Sequence, residues 1–301
     1  MTRSTPSRSS IQTREGREMP LTSSKKRAYA VKTTVVYVLL VAGMIMVTLP
    51  FFWMVSTSFK ARWAVFTYPV QWIPNPFVWQ NYPQAFAALP IGRFMWNTCV
   101  IAFWRVIGVT LSSSMAAYAF ARLEWRGREP LFLVVLATLM LPGQVTLIPE
   151  FIAFKLLGWL DTYLPLVVPA FLGGGAFDIF LLRQFFKTIS RELDDAAKID
   201  GCSRLAIYWR IILPLSKPAL ITVILFTFEG SWMDFFGPLI YLFSMDKFPI
   251  SLGLRLFEQQ RHTDWAQIMA VTNISIIPIL VLYYYGQKYF VQGIVFTGVK
   301  G

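Results

Sequence analysis

Long apolar runs separated by short charged segments dominate the chain. A membrane-crossing helix needs roughly 20 mainly apolar residues, and six windows of that kind follow one another. They span residues 33–58, 94–121, 130–149, 164–182, 218–243 and 266–286. The first carries no charge, the second is broken only by Arg105, the fourth contains Asp178, and the fifth contains Glu229 and Asp234. Pro50, Pro142, Pro169, the Gly173 to Gly175 run and Pro278 fall inside these windows, where they are expected to kink or loosen helices. The pattern predicts an all-α integral membrane protein with six transmembrane helices.

Composition agrees: 55% of the 301 residues are hydrophobic, 15% are charged, and the mean hydropathy is +0.52. Charge then orients the spans, because Lys and Arg concentrate in cytoplasmic loops. Residues 1–32 carry Arg3, Arg8, Arg14, Arg17, Lys25, Lys26, Arg27 and Lys32 against Glu15 and Glu18. Residues 122–129 hold three arginines, and residues 183–217 hold seven basic side chains. Loops 59–93, 150–163 and 244–264 are poorer in them. Both termini are therefore expected on the cytoplasmic side of the membrane. The expected organisation is a disordered basic tail over 1–32, a transmembrane domain over 33–290 and a cytoplasmic C-terminal tail over 291–301. The tail and inner loops account for most of the net charge of +12, so no nucleic-acid partner is needed; the expected surroundings are membrane lipid.

Several chemistries are disfavoured. A lone histidine, His262, leaves no set for H-E-x-x-H zinc chemistry or a His-based triad. No catalytic or metal-ligating residues are assigned. The absence of G-x-x-x-x-G-K-[ST] means that this chain does not cradle ATP by itself. Cys99 and Cys202 fall in different topological layers and imply no disulfide. Gly173 to Gly175 reads as tight packing or a kink, not as a phosphate loop.

The most polar interruption is 192–201, ELDDAAKIDG. Ser190 is expected to cap a helix whose first turns hold Glu192, Asp194 and Asp195, acids that suit the positive end of a helix dipole. Gly201 is expected to end it in a left-handed turn. Ser203 then starts a second short helix, with Leu205, Tyr208, Trp209 and Ile212 on one face and Pro214 at its end. A cytoplasmic helix-turn-helix over about 190–214, between spans four and five, is therefore expected. Small Ala196 and Ala197 would let a partner approach closely.

This segment resembles the signature of ABC importer permeases, E-A-A-x3-G-x9-I-x-L-P. Asp195, Ala196, Ala197, Gly201, Ile211, Leu213 and Pro214 fall at its spacings. Asp195 stands where the family usually has Glu, one methylene shorter with the same charge. Similarity continues through SFK, NPFVWQNYPQAF, AAYAFARLEWRG, FLLRQFFKTISRELDDAAKIDG, GSWMDFFGPLIYL and the terminal GVKG. As a set these resemble the carbohydrate (maltose-type) importer permeases, specifically the six-span partner ending in Val-Lys-Gly.

The resemblance implies half of a translocation path for a sugar or related polyol. The implied partners are a second permease forming a heterodimer, a dimer of ATPase subunits carrying ATP and Mg, and an extracytoplasmic solute-binding protein. This chain itself is not expected to be an enzyme or to bind a cofactor. Glu192 and the signature residues would couple to the ATPase, and Gly298, Val299, Lys300 and Gly301 would contact it through the tail. Glu229, Trp232 and Asp234 are candidates for the substrate path, since charges inside spans usually face protein or a watery cavity. Arg105 is expected to snorkel outward on its long stem. The competing reading is an ion-coupled secondary carrier of small polar solutes, against which stand the lack of an internal repeat and an idle docking segment.

Overall fold

The computed structural model describes residues 23–258 and 264–298. Most of the expected N-terminal tail, His262, Val299, Lys300 and Gly301 lie outside the described residues. The chain divides into two units, Met1–Trp53 and Met54–Gly301.

All regular structure among the described residues is helical. The helices are α1 (Ser23–Ser58), α2 (Asn81–Ala88), α3 (Ile91–Arg122), α4 (Arg128–Thr138), α5 (Gly143–Leu156), α6 (Leu164–Val167) and α7 (Ala176–Thr188). They continue with α8 (Glu192–Ile199), α9 (Arg204–Ile207), α10 (Leu213–Leu215), α11 (Lys217–Met233), α12 (Phe236–Tyr241), α13 (Ile250–Glu258) and α14 (Trp265–Gly298).

Four stretches are long and apolar enough to cross a membrane: Val31–Ser58, Ile91–Arg122, Leu164–Thr188 and Trp265–Lys288. The number rises to six if each of two bent pairs is one span. Arg128–Thr138 and Gly143–Leu156 meet at 95°, and Arg204–Leu215 and Lys217–Met233 meet at 80°. The expected third window is thus broken at residues 139–142, where Pro142 lacks an amide donor and disfavours helix in the residue before it. The fifth window is broken too. α11 stops at Met233, and Asp234 takes an extended ψ of 115°, so Asp234 lies past the helix end and not within a continuous span.

The straight, 32-residue α3 organises the second unit. It packs on α7, α11 and the 3₁₀ turn Val168–Phe171, while α14 packs on α11 and α2. Three apolar clusters sit along it. At its first turn, Ile91 and Phe94 meet Trp232, Ile250, Phe257 and Val271. At mid-length, Ile101 meets Leu166, Tyr241 and Leu242. At its last turns, Ala117, Tyr118 and Ala121 meet Leu182, Phe186, Ala197, Ile207, Tyr208 and Ile212. Between spans such clusters stabilise by close van der Waals packing and not by removal from water.

The Gly173 to Gly175 run does what packing demands. Gly174 has φ +62°, and a Cβ there would stand 1.9 Å from Ser113 Oγ of α3. Only glycine gives both the left-handed turn and that approach. Beyond the run, α7 is fastened to α4: Arg183 Nη2 donates to both Glu129 carboxylate oxygens at 2.8 Å, and its guanidinium lies 3.8 Å from the centre of the Phe132 ring.

Candidate functional site

Two regions of the second unit carry the expected site residues. The first is the pair of short helices around Gly201. Gly201 has φ +81°, its amide donates to Lys198 O at 3.0 Å, and Cys202 N donates to Ala197 O at 2.9 Å. These two bonds satisfy the last carbonyls of α8 in a glycine-terminated cap. Ser203 caps α9 as expected, its Oγ accepting from Ala206 N at 3.2 Å. Ser190 differs. Arg191 occupies the capping position of α8, and Ser190 Oγ accepts from Glu192 N at 3.2 Å, one residue early. Glu192, Asp194 and Asp195 do lie in the first turn of α8. The Lys198 ammonium, 2.8 Å from Asp195 Oδ1, holds the Asp195 carboxyl below the usual carboxylate range.

The faces of these helices depart from expectation. On α8, Asp194 and Ala197 are buried, whereas Glu192, Asp195, Ala196 and Ile199 are exposed. Ala197 packs into the cluster at the end of α3, so of the two small residues only Ala196 is free for a partner. Ile199 is 87% exposed. It went unremarked in the sequence because a terminal Ile before Asp-Gly reads as ordinary packing. On the second helix, Leu205 and Trp209 are exposed while Ile207, Tyr208 and Ile212 are buried. After α9 the helix continues as a π-helical turn over Tyr208–Ile212, so the 3.6-residue register does not run through the whole segment. Ile211 and Leu213 pack half-buried against the same cluster, and Pro214 is exposed.

The second region is a cavity of about 730 Å³ beside the middle of α3. Its polar lining comprises Arg105, Glu150, Asp178, Thr227 and Asp234, and its aromatic lining includes Phe177, Phe226 and Tyr241. Arg105 does not snorkel: its Nη1 donates to Asp234 Oδ2 at 2.9 Å, with the two side chains 30% and 26% exposed. Asp234 Oδ1 accepts the Gly237 amide at 3.1 Å, so one carboxylate joins α3 to the break between α11 and α12. One guanidinium against three carboxylates leaves this wall rich in hydrogen-bond acceptors. The three path candidates separate. Asp234 lines the cavity, Glu229 is exposed outside its lining, and Trp232 is 4% exposed in the cluster at the first turn of α3. There its Nε1 donates to Ser275 O at 2.9 Å and its ring stacks on Phe228. Asp178, Arg105 and Glu150 reach the cavity instead. Asp178 and Arg105 were visible as charges inside apolar windows; Glu150, at the edge of one, carried no such signal.

Among the described residues no group of His, Cys, Asp and Glu is arranged to hold a metal ion. Long apolar helices, a cavity beside α3 and an exposed acidic helix are the features to be set against known proteins.

Residues 108–295 match the family described as "Binding-protein-dependent transport system inner membrane component". The chain belongs to this family and is a permease subunit of an ABC importer. It is 32% identical to the polygalacturonan/rhamnogalacturonan transport system permease protein YtcP of Bacillus subtilis (strain 168), over 88% of this chain and 97% of that one. It is 31% identical to the sn-glycerol-3-phosphate transport system permease protein UgpE of Yersinia enterocolitica, over 86% of this chain and 94% of that one. Its fold matches a chain in the crystal structure of a bacterial ABC transporter involved in the import of the acidic polysaccharide alginate. The TM-score is 0.78 at 25% identity, covering 90% of this chain and all of the other.

Proposed function

We propose that this permease forms half of the path for a sugar or related polyol and works with a second permease, a dimeric ATPase and an extracytoplasmic binding protein. It crosses the cytoplasmic membrane of a bacterium or archaeon six times, with the bent pair Arg128–Leu156 as the third span and the segment from Lys217 onward as the fifth, and with both termini inside. The α8–Gly201–α9 element faces the cytoplasm and seats in a groove of the ATPase, where ATP and Mg are bound. Glu192, Asp195 and Ala196 form the contact together with Ile199, while Gly201 sets the angle between the helices. Ile211, Leu213 and Pro214 hold the second helix against the permease. Residues 298–301 reach toward the ATPase dimer interface.

The observation that carries this reading is the two-faced α8. Its inner face is enclosed by the end of α3, whereas its outer face presents two acids, a small residue and an 87% exposed Ile. Leu193, Leu205 and Trp209 are exposed on the same short helices, and several large apolar side chains outside the apolar spans support an interaction surface where a single one would not. Two relatives are named for polygalacturonan/rhamnogalacturonan and for sn-glycerol-3-phosphate transport, and the matched structure is of a transporter involved in alginate import, which supports a sugar or polyol cargo. The cavity suits such a cargo, with carboxylates to accept hydroxyl hydrogen bonds and aromatic faces to lie against ring carbons.

The test is to tag the chain in its native host, purify it in mild detergent and identify its partners by mass spectrometry, then measure uptake in vesicles with and without ATP. A P-loop ATPase and a second permease at fixed stoichiometry, with ATP-dependent uptake, are expected. A chain that elutes alone and transports on an ion gradient would overturn the reading in favour of a secondary carrier.

A further inference from the structure

Arg122, the last residue of α3, has a side chain only 2% exposed. Its Nη1 donates to Ile189 O at 2.9 Å and its Nη2 to Ser190 O at 3.2 Å. Its Nε lies 3.3 Å from Asp194 Oδ2, whose side chain is 10% exposed. One planar guanidinium thus holds the segment entering α8 and the first turn of α8 at three points. One turn back along α3, Tyr118 OH donates to Arg204 O at 2.9 Å, and one turn further Ser114 Oγ shares a hydrogen bond with Tyr208 OH at 2.8 Å. Residues 114, 118 and 122 recur every four positions, so they form one stripe of α3. The stripe grips the start of α8, the start of α9 and the π-helical turn.

The same unbroken helix carries Arg105, about 25 Å away at 1.5 Å per residue, where it clasps Asp234 in the cavity. We propose that Ser114, Tyr118 and Arg122 form the joint through which displacement of α8 and α9 is passed along α3 to the cavity. Arg122 is its positioning residue. The proposal rests on the reading that α8 seats on an ATPase.

Physical chemistry favours a joint over simple glue. Enclosing an ion pair adds little net stability, because desolvation opposes the attraction, but it fixes geometry. The other buried contact from α8 is Ala197, a small apolar surface that resists sliding poorly. A guanidinium held by two hydrogen bonds and an ion pair resists sliding better. Asp194 Oδ1 has no hydrogen-bond partner among the described residues, so Arg122 is not duplicated on that carboxylate.

The experiment uses the whole complex in proteoliposomes, with its binding protein and cargo. Arg122→Gln, Arg122→Lys, Asp194→Asn and the double variant Arg122→Gln/Asp194→Asn are compared with wild type for ATPase stoichiometry, basal hydrolysis and uptake per ATP hydrolysed. Arg122→Gln is expected to keep wild-type stoichiometry and basal hydrolysis while uptake per ATP falls about tenfold. Arg122→Lys, which keeps the charge and loses the fork, is expected to fall about threefold. The double variant is expected to be no worse than the poorer single variant, because both act at one joint.

Uptake per ATP within about twofold of wild type in assembled Arg122→Gln complexes, or single losses that multiply in the double variant, would overturn the proposal. If Arg122→Gln does not assemble, the same criterion passes to Arg122→Lys. Failure of both to assemble makes the contact a folding element and also overturns it. Absence of any ATPase from the wild-type preparation would instead sink the reading on which the joint rests.

Discussion

Among the described residues, two of the three Arg–Asp pairs made by α3 live in contrasting surroundings. Arg122–Asp194 is enclosed, with side chains 2% and 10% exposed, and Arg122 is held by two further carbonyl bonds. Arg105–Asp234 opens onto the cavity with 30% and 26% exposure. The residue types and the scaffold are the same, yet an enclosed pair sets geometry while a half-open pair remains exchangeable with water or a hydroxylated ligand. The contrast divides the unit into an enclosed end, where the proposed joint lies, and a half-open middle, where the proposed cargo path lies.

The largest effect expected at the enclosed end is from Ala197→Asp. Ala197 is 6% exposed against α3, so the variant buries an unpaired charge beside Asp194 at a cost of about 3–5 kcal/mol. Loss of the assembled complex and of uptake is expected on size-exclusion chromatography and in vesicles. The neighbouring Ala196→Asp, on the exposed face, is expected to shift the thermal midpoint by less than about 2 °C. An equal fall of the thermal midpoint in the two variants would erase the distinction between the faces of α8.

Ile199→Glu comes next. It removes an exposed apolar side chain and leaves the permease fold alone, so ATPase recovered on the tagged permease is expected to drop about tenfold with an unchanged melt. Full recovery of ATPase would detach Ile199 from the docking face.

Asp234→Asn probes the half-open middle. A partly exposed pair is worth about 0.2–1 kcal/mol, so a melting shift of no more than about 3 °C should accompany uptake reduced about threefold to tenfold. A large stability loss with unaltered uptake would show that the pair is a fold element like its enclosed counterpart.

The smallest effect is expected in a loop that joins the regions flanking the cavity. Asp161 accepts hydrogen bonds from Lys247 Nζ at 2.8 Å, from the Ser244 hydroxyl, and from the Ser244 and Phe243 amides at 2.9 Å each. The Lys247 bond first, and then the Ser244 and Phe243 donors, hold its carboxyl well below the ordinary carboxylate range. A depressed folded-state value means that the stabilisation is fully present above the unfolded value of about 4 and is lost as pH falls below it. Asp161→Asn is expected to lower the melting midpoint by about 3 °C at pH 7, with the gap to wild type closing in acid. A gap independent of pH would place the effect in packing and not in the charge.

The sequence alone determined what composition and short-range geometry encode. Apolar windows announced α1, α3 and α14, the acids and the Ser203 cap announced α8 and α9, and Gly201 announced the left-handed stop. These are set within a few residues by hydrogen-bonding capacity and allowed backbone angles. Tertiary structure alone decided which face each helix buries and which distant charges meet. Arg105 and Asp234 are 129 positions apart, and nothing local to either names the other. Trp232 turned into the core because Ser275 offers its indole a carbonyl there. Ala197, Ile207, Tyr208 and Ile212 turned inward because the end of α3 supplied the surface to be covered. Orientation of a helix is settled by what lies against it, and that surface comes from chain far away in sequence.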